Sequence, residues 1–211
     1  MKDIAIYGAG GLGREIYCII KRINWHNPTW NVIGFFDDGK KKGSHNEYGE
    51  ILGGIDDLNH WSSPLSVCFA IGEGKTISKI YSKITNSQID FPNILLYVDY
   101  SDKNNVCLGK GNVILDTHLS CAVKIGDFNF MNGGVSLGHD VEIGDFNTIM
   151  PDVRISGEVT IGNWNYFGIG TIVIQRLRIG DNVRLAAGSV LMTKPKDNQL
   201  YIGNPAKLFR Y

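Results

Sequence analysis

Residues 123–146 read VKIGDFNFMNGGVSLGHDVEIGDF, and within them Ile125, Met131, Leu137 and Ile143 stand six apart. The spacing runs on unbroken through Ile149, Ile155, Ile161, Phe167, Val173, Ile179, Leu185 and Leu191. With 43% of the chain apolar, twelve such positions in succession arise by chance with a probability of about 4 × 10⁻⁵. Every third member is followed by glycine, in Ile125-Gly126, Ile143-Gly144, Ile161-Gly162 and Ile179-Gly180, so the full repeat is eighteen residues made of three sixes.

A period of six matches neither a 3.6-residue helix nor the two-residue alternation of hairpin strands. It suits a chain that makes one short strand and one corner per six residues, with three sides closing a triangular coil. Each side then turns one aliphatic side chain inward. Gly126-Asp127, Gly144-Asp145, Gly162-Asn163 and Gly180-Asp181 fall at corners, where these residue types accept unusual backbone angles. So narrow a core is expected to exclude polar residues. An antiparallel sandwich with evenly spaced strands is the alternative, and it needs insertions and deletions that this stretch lacks.

Working outward, the first hundred residues follow a different rule. Ile4-Ala5-Ile6-Tyr7 reads as a buried strand, GAGGLG (Gly8, Gly10, Gly11 and Gly13 among it) as a turn, and Ile16, Ile19, Ile20 and Ile23 as one face of a helix. Val32-Ile33-Gly34-Phe35-Phe36 is a second strand ending in Asp37-Asp38. Val67 to Ile71 is a third, ending at Gly72, before a helix faced by Ile77, Ile80 and Ile84. Alternating strand and helix means a parallel sheet. Glycines between strand and helix let a backbone approach phosphate oxygens, and the helix amino terminus adds donors and a favourable dipole. Asp37 and Asp38 are placed for a ribose or base, with Ala70, Ile71 and Gly72 nearby. A domain ending near residue 100 holds little more than one mononucleotide-binding half, which favours a sugar nucleotide over NAD. Glycines that serve only to pack helix on strand remain the structural alternative. Gly39 to Gly49 reads as a solvated loop.

The 21 basic and 21 acidic residues balance, so nothing electrostatic recruits nucleic acid or an anionic membrane. The opening strand is too short, and too soon interrupted by glycine, for a signal peptide or a spanning helix, which points to a cytoplasmic protein without membrane insertion. Cys18, Cys68, Cys107 and Cys121 lie far apart in apolar runs without a C-x-x-C, the pattern of buried free thiols rather than disulfides or zinc ligands.

One coil departs from the monotony, Met131 to Asp140, where His139 lies two residues past the inward Leu137, in a corner region. A neutral imidazole there can take a proton from an amine or hydroxyl as it attacks a thioester. On the residues alone, a solvated corner histidine is the better reading, and a corner asparagine is an equally open one for Asn132.

The whole chain resembles bacterial sugar acyltransferases with an amino-terminal nucleotide-sugar domain and a carboxy-terminal left-handed β-helix: the bacillosamine-pathway and perosamine N-acetyltransferases and the sialic acid O-acetyltransferases. The strings IYGAGGLGREI, FFDD, FAIGEGKTISKIYSKI, the hexapeptide array and IGNPAK carry the resemblance. It implies a Rossmann-like α/β domain over 1–100, a left-handed parallel β-helix over 106–193, and a capping segment over 194–211. It also implies a homotrimer with acetyl-CoA sites between neighbouring prisms, and no metal. His139 would be the general base, Asp140 its orienting carboxylate, and Asn132 a neighbour of the reacting sugar. Gly157 would offer a backbone amide to the thioester carbonyl, while Ile169, Gly170, Ala187 and Gly188 form a ledge for coenzyme A. Thr148 departs from the bacillosamine-pathway pattern, which has a second histidine there. The expected reaction is acetyl transfer from acetyl-CoA to the amine of a UDP- or dTDP-linked amino sugar. An O-acetyltransferase acting on sialic acid, a NAD-dependent oxidoreductase and a non-catalytic nucleotide-sugar sensor are its rivals.

Overall fold

The computed structural model describes residues 1–210. They divide into two units, Met1–Ile94 and the chain from Leu95 onward.

The first unit is an α/β layer built on strands β1 (Lys2–Tyr7), β2 (Trp30–Phe36), β3 (His45–Asn46), β4 (Gly49–Gly53), β5 (Leu65–Phe69) and β6 (Ile89–Asp90). Their order in the sheet is β3-β4-β2-β1-β5-β6. All pairs are parallel except the β3–β4 hairpin. Helices α1 (Gly11–His26), α2 (Ile55–Asn59) and α3 (Gly74–Tyr81) connect them. β1 and β5 are central, and beyond the exposed Lys2 and Asp3 they are buried throughout and mainly apolar, as strands covered on both faces must be. Helix α1 turns Ile16 and Ile20 into the core and α3 turns Ile77, the faces that their spacing marks. The chain runs from β1 outward to one side, then returns to β5 on the other, which opens a crevice at the carboxyl ends of β1 and β5. The stretch from Gly39 to Gly49 is not all loop, because β3 and the start of β4 lie within it. β4 carries a single deeply buried aliphatic, Ile51, between glycines, too short a pattern to register as a strand.

The second unit is a three-sided parallel coil. Each side is a pair of extended residues that hydrogen-bonds to the pair eighteen positions away: Lys124, Glu142, Thr160 and Arg178 on one face, Phe130, Thr148, Tyr166 and Arg184 on the second, Ser136, Arg154, Ile172 and Val190 on the third. The six-spaced residues from Ile125 to Leu191 are all buried and form one continuous core. Each such side chain contributes about 1.5–3 kcal/mol by leaving water.

Two details of the corners differ from the expectation. The left-handed backbone falls three residues past each inward side chain, at Ala122, Phe128, Gly134, Asp140, Phe146, Asp152, Glu158, Trp164, Gly170, Arg176, Asn182 and Gly188, with φ between 54 and 77°. Half of these are not glycine, asparagine or aspartate. The conformation costs an ordinary residue about 1–2 kcal/mol, and a backbone bond to the coil below offsets it, as in Phe128 N–H to Lys110 at 2.8 Å and Glu158 N–H to His139 at 2.8 Å. The glycines of the Ile-Gly pairs serve close approach instead: a Cβ on Gly126 would lie 2.2 Å from Asp145 Oδ1.

The core also admits polar residues. Asn112, Asn129, Asn147 and Asn165 are buried and stacked. Each Oδ1 accepts the backbone N–H of the next rung, Asn129, Asn147, Asn165 and Val183, at 2.7–2.9 Å. Each Nδ2 donates to the carbonyl of Gly126, Gly144, Gly162 or Gly180 at 2.9 Å. A buried amide whose donor and acceptor are both engaged is tolerated where a lone polar group is not.

Of the four cysteines, all free, only Cys68 is buried. Cys107 and Cys121 take outward and corner positions of the coil, which the local apolar run does not reveal. Burial pushes the Cys68 thiol up to about 12, so it stays protonated and inert.

Candidate functional site

At the carboxyl edge of the first sheet the four glycines divide by role. A Cβ on Gly8, whose φ is 111°, would lie 2.6 Å from the Ala70 carbonyl oxygen, and one on Gly13 would lie 2.0 Å from that of Gly8. These two allow strand, loop and helix to pack. Gly10 and Gly11 have nothing within 4 Å of such a Cβ and face open space. Helix α1 begins there with no side-chain cap and no acidic residue in its first turn, leaving its amino-terminal donors and positive dipole end for an anion. A cavity of about 580 Å³ lies over this turn, lined by Gly10, Gly11, Arg14, Lys40, His45 and Asn46 among others.

Asp37 and Asp38 are both tied into the fold. Asp37 accepts the Ala9 N–H at 2.8 Å and the Gly39 N–H at 2.9 Å, which holds the loop in place. Asp38 accepts the Tyr7 hydroxyl at 2.7 Å and the Ile55 N–H at 2.8 Å. Burial, reinforced by the Asp38 carboxylate, raises the Tyr7 phenol far above its ordinary range, so it remains a donor. Ala70, Ile71 and Gly72 follow β5 beside the glycine turn, where Ala70 N–H bonds the Tyr7 carbonyl at 2.8 Å. Arg14, Lys40, His45 and Asn46 had no part in the sequence reading. Arg14 was legible, lying one helical turn past Gly11. The other three required the β3–β4 hairpin.

The three corner edges of the coil are chemically distinct. One carries Asp127, Asp145, Asn163 and Asp181, whose side-chain oxygens accept the N–H of Lys110, Asp127, Asp145 and Asn163 at 2.7–2.9 Å. This edge is sealed. A second carries Cys121, His139, Gly157 and Gln175, and the N–H groups of the last three meet no acceptor among the described residues. The third carries Gly133, Pro151, Ile169 and Ala187; here Gly133 N–H bonds Asn132 Oδ1 at 2.8 Å, proline has no N–H, and Ile169 is 52% exposed.

His139 stands on the second edge. Its Nδ1 lies 2.8 Å from Asp140 Oδ2, with both side chains about half exposed. Adjacent residues of a strand point apart, and the positive φ of Asp140, 58°, supplies the bend that brings them together. A carboxylate accepting from Nδ1–H leaves Nε2 as the free base. The imidazole lies flat over the next coil, so that a Cβ on Gly157 would come within 2.5 Å of Nε2. A proton acceptor and an unpaired amide donor thus share one corner.

Asn132, Ile169, Gly170, Ala187 and Gly188 do not join them within one chain; they form the third edge, where Gly170 and Gly188 again face open space. Thr148 is 2% exposed and lies on the face between the first and third edges, apart from His139. A second imidazole, His118, pairs with Asp99 at 2.8 Å, but its Nε2 faces Ser101 Oγ at 3.5 Å rather than an open amide. Among the described residues, no cluster of three or more His, Cys, Asp or Glu side chains is placed to hold a metal, and no helix is long and apolar enough to cross a membrane.

Residues 3–84 match the sequence model of the PglD N-terminal domain. No curated protein matches the chain. Among solved structures, the chain superposes on the acetyltransferase domain of PglB from Neisseria gonorrhoeae with a TM-score of 0.85 at 24% identity, covering 99% of this chain and 100% of that one. A histidine-to-asparagine variant of perosamine N-acetyltransferase from Caulobacter crescentus, in complex with CoA and GDP-perosamine, gives 0.84 at 22% identity over 100% and 98%. WeeI from Acinetobacter baumannii gives 0.83 at 24% identity over 99% and 100%. By fold, this chain is an amino-terminal α/β domain, similar over residues 3–84 to the PglD N-terminal domain, followed by a left-handed parallel β-helix, as the resemblance implies.

Proposed function

We propose that this protein transfers acetyl from acetyl-CoA to the amine of a nucleotide-linked amino sugar. The observation that carries the reading is the corner where His139 Nε2, freed by the Nδ1–Asp140 contact of 2.8 Å, lies against Gly157 and its unpaired amide. The solved relatives whose descriptions include acetyl coenzyme A, CoA and GDP-perosamine support both substrates.

In this mechanism His139 Nε2 accepts a proton from the sugar amine as its nitrogen attacks the thioester carbonyl. The Gly157 N–H donates to the developing oxyanion. Collapse breaks the carbon–sulfur bond and the imidazolium returns the proton to the departing thiolate, leaving an amide and free coenzyme A. Asp140 stabilises the imidazolium between the two transfers. No covalent acyl-enzyme is required. Gly10, Gly11 and Arg14 would receive the nucleotide phosphates at the first turn of α1, with Asp37 holding the Ala9 N–H of that turn.

Assembly completes the site in this reading. Ile169, Ile172, Ile174 and Met192 are exposed on, or at the borders of, the face between the third and second edges. Apolar surface of this kind marks an interface, and a homotrimer would bring the ledge of one chain toward His139 of the next. A cytoplasmic setting suits the exposed free thiols of Cys18, Cys107 and Cys121.

Thiol release from acetyl-CoA, followed with UDP-, dTDP- and GDP-linked amino sugars and with free sialic acid, tests the proposal. We expect turnover with at least one nucleotide-linked amine. Release with sialic acid alone, or with no sugar at all, overturns it.

A further inference from the structure

Asn46 holds the anomaly on which this inference rests. It lies in β3 opposite Gly49 in the hairpin register, and it lines the cavity over the glycine turn. Its Oδ1 accepts two backbone donors, Tyr48 N–H at 2.8 Å and Gly49 N–H at 3.1 Å. Those bonds settle which end of the carboxamide is which. The Nδ2 group is buried and has no hydrogen-bond partner, alone among the buried side-chain nitrogens and oxygens of the described residues. A buried donor left unpaired is costly, and it calls for an acceptor that arrives from outside the chain.

The sheet order says which part of a nucleotide would supply that acceptor. From β1, whose glycine turn and helix terminus suit phosphates, the sheet steps outward to β2, which Asp37 follows, then to β4 and then to β3, where Asn46 lies. Three steps span about 14 Å, which takes a nucleoside diphosphate from its phosphates past ribose to base. Arg14, which pairs with Glu47 of the hairpin at 3.3 Å, and Asn46 line the same cavity, where Asn46 is a neutral group with an amide nitrogen to donate.

Resting on the nucleotide-sugar reading above, we propose that Asn46 is the base-reading residue of this protein, its Nδ2 donating to a keto oxygen on the nucleobase. Uracil, thymine and guanine present such an oxygen at the 4- or 6-position. Cytosine and adenine present an amino group there, which would set donor against donor.

Titration calorimetry of the intact protein with UDP, dTDP, GDP, CDP and ADP tests this. We expect the best keto-base diphosphate to bind about tenfold or more tighter than CDP and ADP. The variant Asn46→Asp keeps an oxygen for the Tyr48 and Gly49 amides and replaces only the donor, so the hairpin is preserved. It should lose about tenfold toward keto bases and bind amino bases no worse than the parent does. Equal binding of keto and amino bases by the parent protein overturns the proposal without recourse to any variant. So does an Asn46→Asp protein that melts normally and keeps the parental ranking. Absence of binding by every diphosphate would instead refute the nucleotide reading, and this proposal with it.

Discussion

The sealed and open edges of the coil share one backbone and differ in what meets their amides. Along Asp127, Asp145, Asn163 and Asp181, each carboxylate or carboxamide closes the donor of the coil below. Along His139, Gly157 and Gln175 the same donors at the same step remain unpaired. The first edge devotes its polar groups to cohesion and the second leaves them for a ligand. Under the proposed mechanism, stability and chemistry are assigned to different corners of a single repeat.

Substitutions on each side should separate the two roles. The largest effect is expected from His139→Ala, which should lower kcat at least about 100-fold, leave coenzyme A affinity intact and leave the urea midpoint unchanged. Steady-state kinetics beside a denaturation curve would show it, and near-normal turnover would remove the base from the open edge. Next comes Asn147→Ala, inside the core next to the sealed edge. It strips partners from Asn165 N–H and the Gly162 carbonyl and should cost about 2 kcal/mol of stability, with kcat per folded molecule unchanged. A loss of activity there without a shift in midpoint would blur the division. The smallest effect is Gly157→Ala. Its methyl would enter the space of the imidazole, displacing His139 and lowering kcat about tenfold. If stability fell and kcat did not, the open edge would be structural after all.

The coil itself was readable because its core obeys a strict count from Ile125 to Leu191, which only a six-residue step satisfies. The Rossmann-like unit was readable from its apolar strands and the glycine turn. What escaped has physical reasons. Asn129, Asn147 and Asn165 look like corner residues in a sequence, since asparagine favours corners, and only stacking at eighteen-residue intervals turns them into an internal ladder. Left-handed backbone at Phe128, Trp164 and Arg176 contradicts their local preference and is imposed by bonds between coils. Asn46 was hidden in a polar stretch because β3 is two residues long. On the site, the resemblance implied the pairing of His139 with Asp140, but only the backbone shows the bend at Asp140 that makes it, and the grouping of Asn132 with Ile169 and Ala187 required knowing which edge each occupies.

The regular left-handed corner has a consequence for how such a chain can change. Because every sixth residue turns the backbone whatever its side chain, a group's compass bearing is set by its position in the count. Removing six residues between His139 and Gly157 would swing everything downstream by a third of a revolution and carry that glycine to another edge. Removing eighteen would restore every bearing and shorten the prism by one rung, about 4.8 Å. The left-handed positions carry side chains as different as Phe128, Glu158 and Arg176, and the length between them is the quantity this architecture must conserve.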